Sequence, residues 1–277
     1  MARPRVTKVP ELATRQNGDS AMIGKPGEWS AMTQPDRDLG QGRVAVYRHP
    51  LLVRITHWLN ALCLLVLILS GLQILNAHPA LYWGNASTFS DPFVAFGSGQ
   101  GPAFPSWATL PGWQDLAGGR RWHFFFAWLF VLNGLLYVIY ALMSRRVNKV
   151  LAPTRDQLRH IGGSIREHLR LRFPHGEQAR DYNVLQKLSY LVVLFGLLPL
   201  MVATGLTMSP GMNARLHFLV EVFGGRQSAR TIHFMTACTL VLFFIIHIIA
   251  VVAAGPLTEL RSMVTGWFVI RTQKGQP

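Results

Sequence analysis

Four long apolar runs, separated by polar segments that carry nearly all the arginines, predict an all-α protein: an integral membrane four-helix bundle with both termini cytoplasmic. Three observations lead there. Half of the 277 residues are hydrophobic and only 14% are charged, and several apolar runs exceed the ~18 residues that mark a membrane span. Those runs lack the polar face that a helix of a soluble bundle keeps toward water. The basic residues, finally, are shared unequally among the segments between the runs.

Residues 1–45 are polar and rich in Gly, Pro, Arg, Asp and Gln, without a sustained apolar period, and are expected to form a disordered cytoplasmic tail. The transmembrane domain is expected over 46–260, with a second cytoplasmic tail over 261–277. Span one runs from about 51 to 75 and carries Arg54 and His57 near its start. The connection from Asn76 to Gly119 has no Lys or Arg, and its Trp83, Trp107 and Trp113 suit a membrane interface or a partner surface. A connection this long is more often functional than a plain link.

Arg120 and Arg121 precede span two, about 122 to 143, with His123 almost at its start. The segment 144–183 places Leu158, Ile161, Ile165 and Leu169 on one helical stripe among arginines, the pattern of a basic amphipathic helix on an anionic lipid surface. Span three, about 184 to 208, contains Pro199 and no histidine. Span four, about 229 to 254, contains His233 and His247.

Counting charge sets the orientation. Residues 1–50, 144–183 and the C-terminal tail hold eight, nine and three Lys or Arg, whereas the connections ending at Arg121 and Gln227 hold two each. Excess Lys and Arg remain in the cytoplasm, so both termini lie inside and four spans fit. The net charge of +14 therefore reports topology and anionic lipid, and no nucleic-acid partner is expected. Cys63 and Cys238 both lie in apolar runs and read as small hydrophobes. No CxxCH occurs, which argues against covalent haem attachment.

The histidines carry the functional signal, because ionisable groups inside a span are costly and mark function by default. His233 and His247 are fourteen residues apart on one span. That spacing brings both to one helix face within about 40°, roughly 21 Å apart along the axis. Under the derived topology His57 and His247 lie near the cytoplasmic side, and His123 and His233 near the outer side. Neutral imidazole is a common axial ligand of haem iron, so the four predict two haem b groups, one per pair, with no open axial position. Gly71 falls on the His57 face at the outer level and Gly134 on the His123 face near the inner level, where a missing side chain lets a macrocycle approach or helices pack. Arg121 and Arg230, with Arg120 and Arg226, are candidates to pair outer haem propionates, and Arg54 inner ones. The other histidines, His49 and His78 among them, read as solvated.

Arg54-Ile55-Thr56-His57-Trp58, Arg121-Trp122-His123 and the His233/His247 pair together resemble the four-helix dihaem cytochrome b family of bacterial respiration. That family includes nickel-iron hydrogenase b-type cytochromes, formate dehydrogenase gamma subunits, thiosulfate reductase cytochrome b subunits and bacterial b561-type cytochromes. The resemblance covers roughly residues 45 to 260. It implies a subunit of the bacterial inner membrane that passes electrons between a periplasmic oxidoreductase partner, of molybdopterin type, and quinone near the cytoplasmic side. No family residue locates the quinone. A stand-alone superoxide oxidase that reduces quinone is the alternative reading, and a haem-free transporter or sensor a lesser one. No soluble-substrate site of its own, and hence no catalytic residue, is apparent.

Overall fold

The computed structural model describes residues 34–97, 101–112, 114–147, 151–169 and 183–271. Contacts separate Met1–Gln34 from a second unit, Pro35–Pro277, and all secondary structure among the described residues belongs to the second. The chain is mostly helical, and four helical stretches are long and apolar enough to cross a membrane: Leu51–Asn76, Leu116–Met143, Val184–Met208 and Arg226–Ala254. They are α1, α2, the pair α5 (Val184–Val192) and α6 (Leu198–Met208), and α9. Helix α1 packs along α2, and α6 along α9.

Leu65, Leu132, Leu136, Phe244 and Ile249 lie exposed on these helices, while Ser70, Thr204, Thr207 and Thr231 are buried. That inversion suits helices facing lipid, where hydroxyls turn inward to find partners. Asn133 of α2 is buried and donates to the Thr56 carbonyl at 2.9 Å and to Asn60 Oδ1 at 2.6 Å. It thus joins α2 to the first third of α1, beside His57.

The helix boundaries have local causes. Pro50 precedes α1, since a proline costs no hydrogen bond where the first N–H groups are unpaired anyway. Helix α2 starts six residues before the expected span, because Asp115 Oδ1 accepts from the Gly118 N–H at 2.8 Å and so draws Gly118 to Arg121 into the helix. In the third span a π-helical turn, Val193–Leu197, joins α5 to α6 just before Pro199. A wide turn accommodates the missing N–H and the bulk of the ring. Helix α9 ends at Gly255, whose φ is +112°, and Pro256 opens α10 (Pro256–Thr265).

At one end of the bundle a three-stranded antiparallel sheet joins β1 (Arg37–Gly40), β2 (Arg43–Tyr47) and β5 (Trp267–Arg271), with Tyr47 opposite Trp267 and Arg43 opposite Arg271. Strand structure therefore begins inside the segment expected as a tail ending at 45, and the second half of α10 together with β5 falls in the other expected tail, 261–277. The sheet brings the entrance of α1 and the chain beyond α9 to the same end of the molecule. Trp58 Nε1 donates to the Met263 carbonyl at 3.1 Å, and an Arg54 N–H donates to the Val264 carbonyl. These bonds fasten the first turns of α1 to α10.

The other end carries a cap made from the long connection, in which β3 (Ala80–Leu81) pairs with β4 (Val94–Ala95). The Gly84 carbonyl accepts from the Gln227 and Ser228 N–H groups, and the Gly84 N–H donates to Ser228 Oγ at 2.7 Å. The cap thereby supplies partners for the otherwise unpaired first turn of α9. Asn76 pairs with both backbone groups of Phe104. Trp83 and Trp107 are exposed on this cap, and Trp113 lies outside the described residues.

The expected amphipathic helix is broken at His160 into α3 (Arg155–Arg159) and α4 (Ile161–Leu169). Gly162-Gly163, at the start of the second piece, raises the cost of a continuous helix there. Residues 148–150 and 170–182 of that basic segment lie outside the described residues. Two smaller expectations also change. Cys238 is exposed on α9, whereas Cys63 is buried. His49, read as solvated, is buried beside Gly266, with its N–H donating to the Gly266 carbonyl.

Candidate functional site: two imidazole pairs

The four predicted histidines meet two by two. His57 of α1 faces His247 of α9 with ring centroids 6.3 Å apart and ring planes 65° apart. His123 of α2 faces His233 of α9 at 6.3 Å and 63°. Metal–imidazole bonds of about 2.0–2.1 Å add to ~1.15 Å from ring atom to ring centre, given conjugated bonds near 1.33 Å. A metal held between two imidazoles therefore spaces their centres by about 6.4 Å, and both pairs match that span.

The second pair offers a further test of fit. His123 Nδ1 lies 3.0 Å from Ser70 Oγ, and His233 Nδ1 lies 3.0 Å from Thr204 Oγ1. Each hydroxyl also bonds a carbonyl four residues back, Val66 at 2.6 Å and Leu200 at 2.7 Å. A hydroxyl has one proton, and a carbonyl can only accept. Both hydroxyls must then accept from the imidazoles, which makes Nδ1 the protonated nitrogen and leaves Nε2 bare. A neutral imidazole with Nδ1–H held by a hydrogen bond and Nε2 free is the form that ligates a metal. Nor is there, among the described residues, any group of three or more His, Cys, Asp or Glu suited to a bare ion, so the donor set fits a macrocycle that supplies its own equatorial ligands.

The two candidate glycines differ in what they meet. A Cβ on Gly71 would lie 3.4 Å from His123 Cε1, and one on Gly205 would lie 3.4 Å from His233 Cε1. Both seat an imidazole; Gly71 does not front an open space. Gly134 does: a Cβ there meets no atom within 4 Å, which leaves room for a macrocycle.

The candidate arginines are engaged with backbone. Arg230 donates to the His78 carbonyl at 2.5 Å, Arg121 Nε to the Ala117 carbonyl at 3.4 Å, and Arg226 to the Met208 carbonyl at 3.3 Å. Arg54 is tied to Val264 as described, with its buried Nε left unpartnered. Arg120 lies over the Phe124 ring. His78, also read as solvated, stacks on Tyr82 at 5.5 Å with its Nε2 buried and unpartnered. Burial and Arg230 hold its pKa below the ordinary value.

Ser70, Thr204 and Gly205 were missed by the sequence reading. Their signal was present: Ser70-Gly71-Leu72 in span one recurs as Thr204-Gly205-Leu206 in span three. His49 was missed as well. Its Nδ1 is buried and unpartnered, and burial, reinforced by Arg48, Arg146, His57 and Arg54, lowers its pKa to about 3.

Comparison with known proteins bears on these pairs. The family model described as prokaryotic cytochrome b561 matches residues 48–266. A curated relative from Azospira oryzae, described as a putative protein-methionine-sulfoxide reductase subunit YedZ1, is 31% identical over 218 residues, covering 79% of this chain and 96% of the relative. No solved structure matches. With four membrane-length helices, two facing imidazole pairs and a family match across the whole helical region, the chain belongs to the prokaryotic cytochrome b561 family of b-type-haem electron-transfer membrane proteins.

Proposed function

We propose that the chain holds two haem b groups and conducts electrons through the membrane between an oxidoreductase partner on the periplasmic side and quinone near the cytoplasmic side. The observation that carries this reading is the recurrence of one geometry: two imidazole pairs with the same 6.3 Å separation. When bound, a haem with two imidazole ligands supplies one-electron oxidation and reduction without an open position for oxygen. His57 and His247 hold the inner group, and His123 and His233 the outer. The exposed sides of α1, α2, α6 and α9 keep both sites surrounded by lipid and protein.

Arg54 with its free Nε serves the inner carboxylates. Arg121 and Arg230, each bonded to backbone through one N–H group, have others left for the outer ones. At Gly134, where a Cβ would meet no atom within 4 Å, there would be room for the macrocycle of the inner group. Both termini lie in the cytoplasm of a bacterial inner-membrane protein, supported by the basic-residue counts and by the sheet that gathers the two ends of the helical domain.

The cap with exposed Trp83, Trp107 and Phe89 is the surface for the catalytic partner. The curated relative is described as a subunit of a protein-methionine-sulfoxide reductase. A reductase takes electrons, so with a partner of that kind, of molybdopterin type as the family resemblance implies, flow runs outward from quinol toward the periplasmic side.

The test is the haem content and redox titration of four variants. His123→Ala or His233→Ala removes the outer haem and leaves the inner at least partly loaded. His57→Ala or His247→Ala does the reverse. If every variant kept two low-spin haems, the pairing would be wrong.

A further inference from the structure

The two imidazole pairs are alike in spacing but differ in what surrounds them. Both outer rings are held at Nδ1 by a hydroxyl, 3.0 Å from Ser70 and 3.0 Å from Thr204. Both hydroxyls are fully buried, and each is followed by a glycine that seats the same ring edge at 3.4 Å. Among the described residues the inner rings have no hydroxyl partner. They rest on aromatic neighbours instead, His57 edge-on to Trp58 at 5.4 Å and His247 stacked on Phe243 at 6.1 Å.

The consequence for a bound metal follows from how an imidazole donates. Giving its Nδ1–H to an acceptor raises the electron density of the ring and strengthens the donation from Nε2. Stronger donation favours the oxidised metal, so it lowers the reduction potential. The same bond also stops the ring turning about its bond to the metal, because the hydroxyl is itself fixed to a helix carbonyl. An aromatic neighbour limits the ring by packing alone and adds no donor strength.

We infer that Ser70 and Thr204 are positioning residues of the outer site. They fix the tautomer and plane of His123 and His233 and pull the outer haem's potential down, by a device that the inner site lacks. The inference rests on the proposed two-haem reading.

The experiment uses the full-length protein, purified with its haems, in four variants. Ser70→Ala and Thr204→Val remove one hydroxyl each, and Ser70→Thr and Thr204→Ser keep it. Haem content is measured first, since fewer than two haems in the parent protein would defeat the proposed function before this inference is reached. With two haems present, Ser70→Ala and Thr204→Val shift the outer low-spin electron paramagnetic resonance signal and raise the outer midpoint potential. The inner signal and potential stay in place, and the hydroxyl-retaining variants match the parent. Loss of the outer haem alone in Ser70→Ala, with retention in Ser70→Thr, supports the inference equally. Unchanged outer signals in both hydroxyl-free variants would overturn it. So would equal shifts at both haems, which would mark a general structural effect.

Discussion

Replacing the two ring-seating glycines gives a graded test of where the outer imidazoles sit. A Cβ at Gly71 would lie 3.4 Å from His123 Cε1 and 3.8 Å from its Nδ1, and Gly205 presents the same two distances to His233. Carbon atoms pack best at about 3.5–4.0 Å, so a single methyl needs a shift of no more than a few tenths of an ångström. Alanine also gains roughly 0.5–1 kcal/mol over glycine in a helix interior. Gly71→Ala and Gly205→Ala should therefore keep both haems. Valine carries two further carbons on bonds of about 1.5 Å, and overpacking of that kind costs about 1–3 kcal/mol. The ring can yield only by leaving its hydroxyl, so Gly71→Val and Gly205→Val should lose or weaken the outer haem and spare the inner. Gly134 is the contrast. A Cβ there meets no protein atom, so Gly134→Leu should disturb only what a macrocycle fills, at the inner level. Haem per protein by pyridine haemochromogen, with redox titration to tell the two apart, reads all three positions. A Gly71→Val protein with both haems at unchanged potentials would refute the seating argument, and an unperturbed inner haem in Gly134→Leu would refute the placement of the macrocycle.

Three other outcomes follow from the same geometry. His49 has a pKa lowered to about 3 from 6.5 by burial, with Arg48, Arg146, His57 and Arg54 adding to it. The unfolded chain takes up this proton below about 6.5 and the folded chain does not, so stability is complete above that pH. It falls by about 1.4 kcal/mol per unit as pH drops toward 3; thermal unfolding in detergent at pH 7.5 and 5.5 should show the loss, and His49→Phe should flatten it. Asn133→Leu removes the donor shared by the Thr56 carbonyl and Asn60 and should cost about 0.6–1.7 kcal/mol of helix association, read as a lower denaturation midpoint with haem stoichiometry intact. Gly225 has φ of +115° and no room for a Cβ against the Gly84 carbonyl, so Gly225→Ala should destabilise the cap by about 1–3 kcal/mol, measured as faster proteolysis of the 77–115 connection.

The spans were legible because lipid imposes long uninterrupted apolar runs. The third was placed at its observed ends, and the first and fourth began or ended within a few residues of them. The start of α2 was not legible. Gly118, Gly119 and the two arginines look like loop, and only the bond from Gly118 to Asp115 makes them helix. The strands were hidden for another reason. Arg43-Val44-Ala45-Val46-Tyr47 has the β-branched and aromatic residues that suit a strand, but its partner, Trp267–Arg271, is more than two hundred residues away. Pairing at that distance leaves no local mark. The ligand histidines could be paired from depth alone, because a helix converts sequence spacing into height and azimuth. Their hydroxyl partners left only the recurrence of Ser70-Gly71-Leu72 as Thr204-Gly205-Leu206, since a single buried Ser or Thr in an apolar span looks the same whether it bonds its own helix or a neighbour's.

That last gap explains a span that looked idle. The third span carries no histidine, and on ligands alone the bundle would need only α1, α2 and α9. Yet Thr204 holds His233 from α6 just as Ser70 holds His123 from α1, and each is followed by the glycine that seats the ring. The helices thus work as two like pairs, α1 with α2 and α6 with α9, in which one member brings a hydroxyl and a glycine and the other an imidazole. Ser70-Gly71-Leu72 and Thr204-Gly205-Leu206 are the sequence trace of that repetition. On the two-haem reading, the helix without a histidine gives its neighbour's imidazole an acceptor at Nδ1 and a surface without a side chain. On this argument, moving Thr204-Gly205 one residue along the span should be as damaging to the outer site as removing His233 itself.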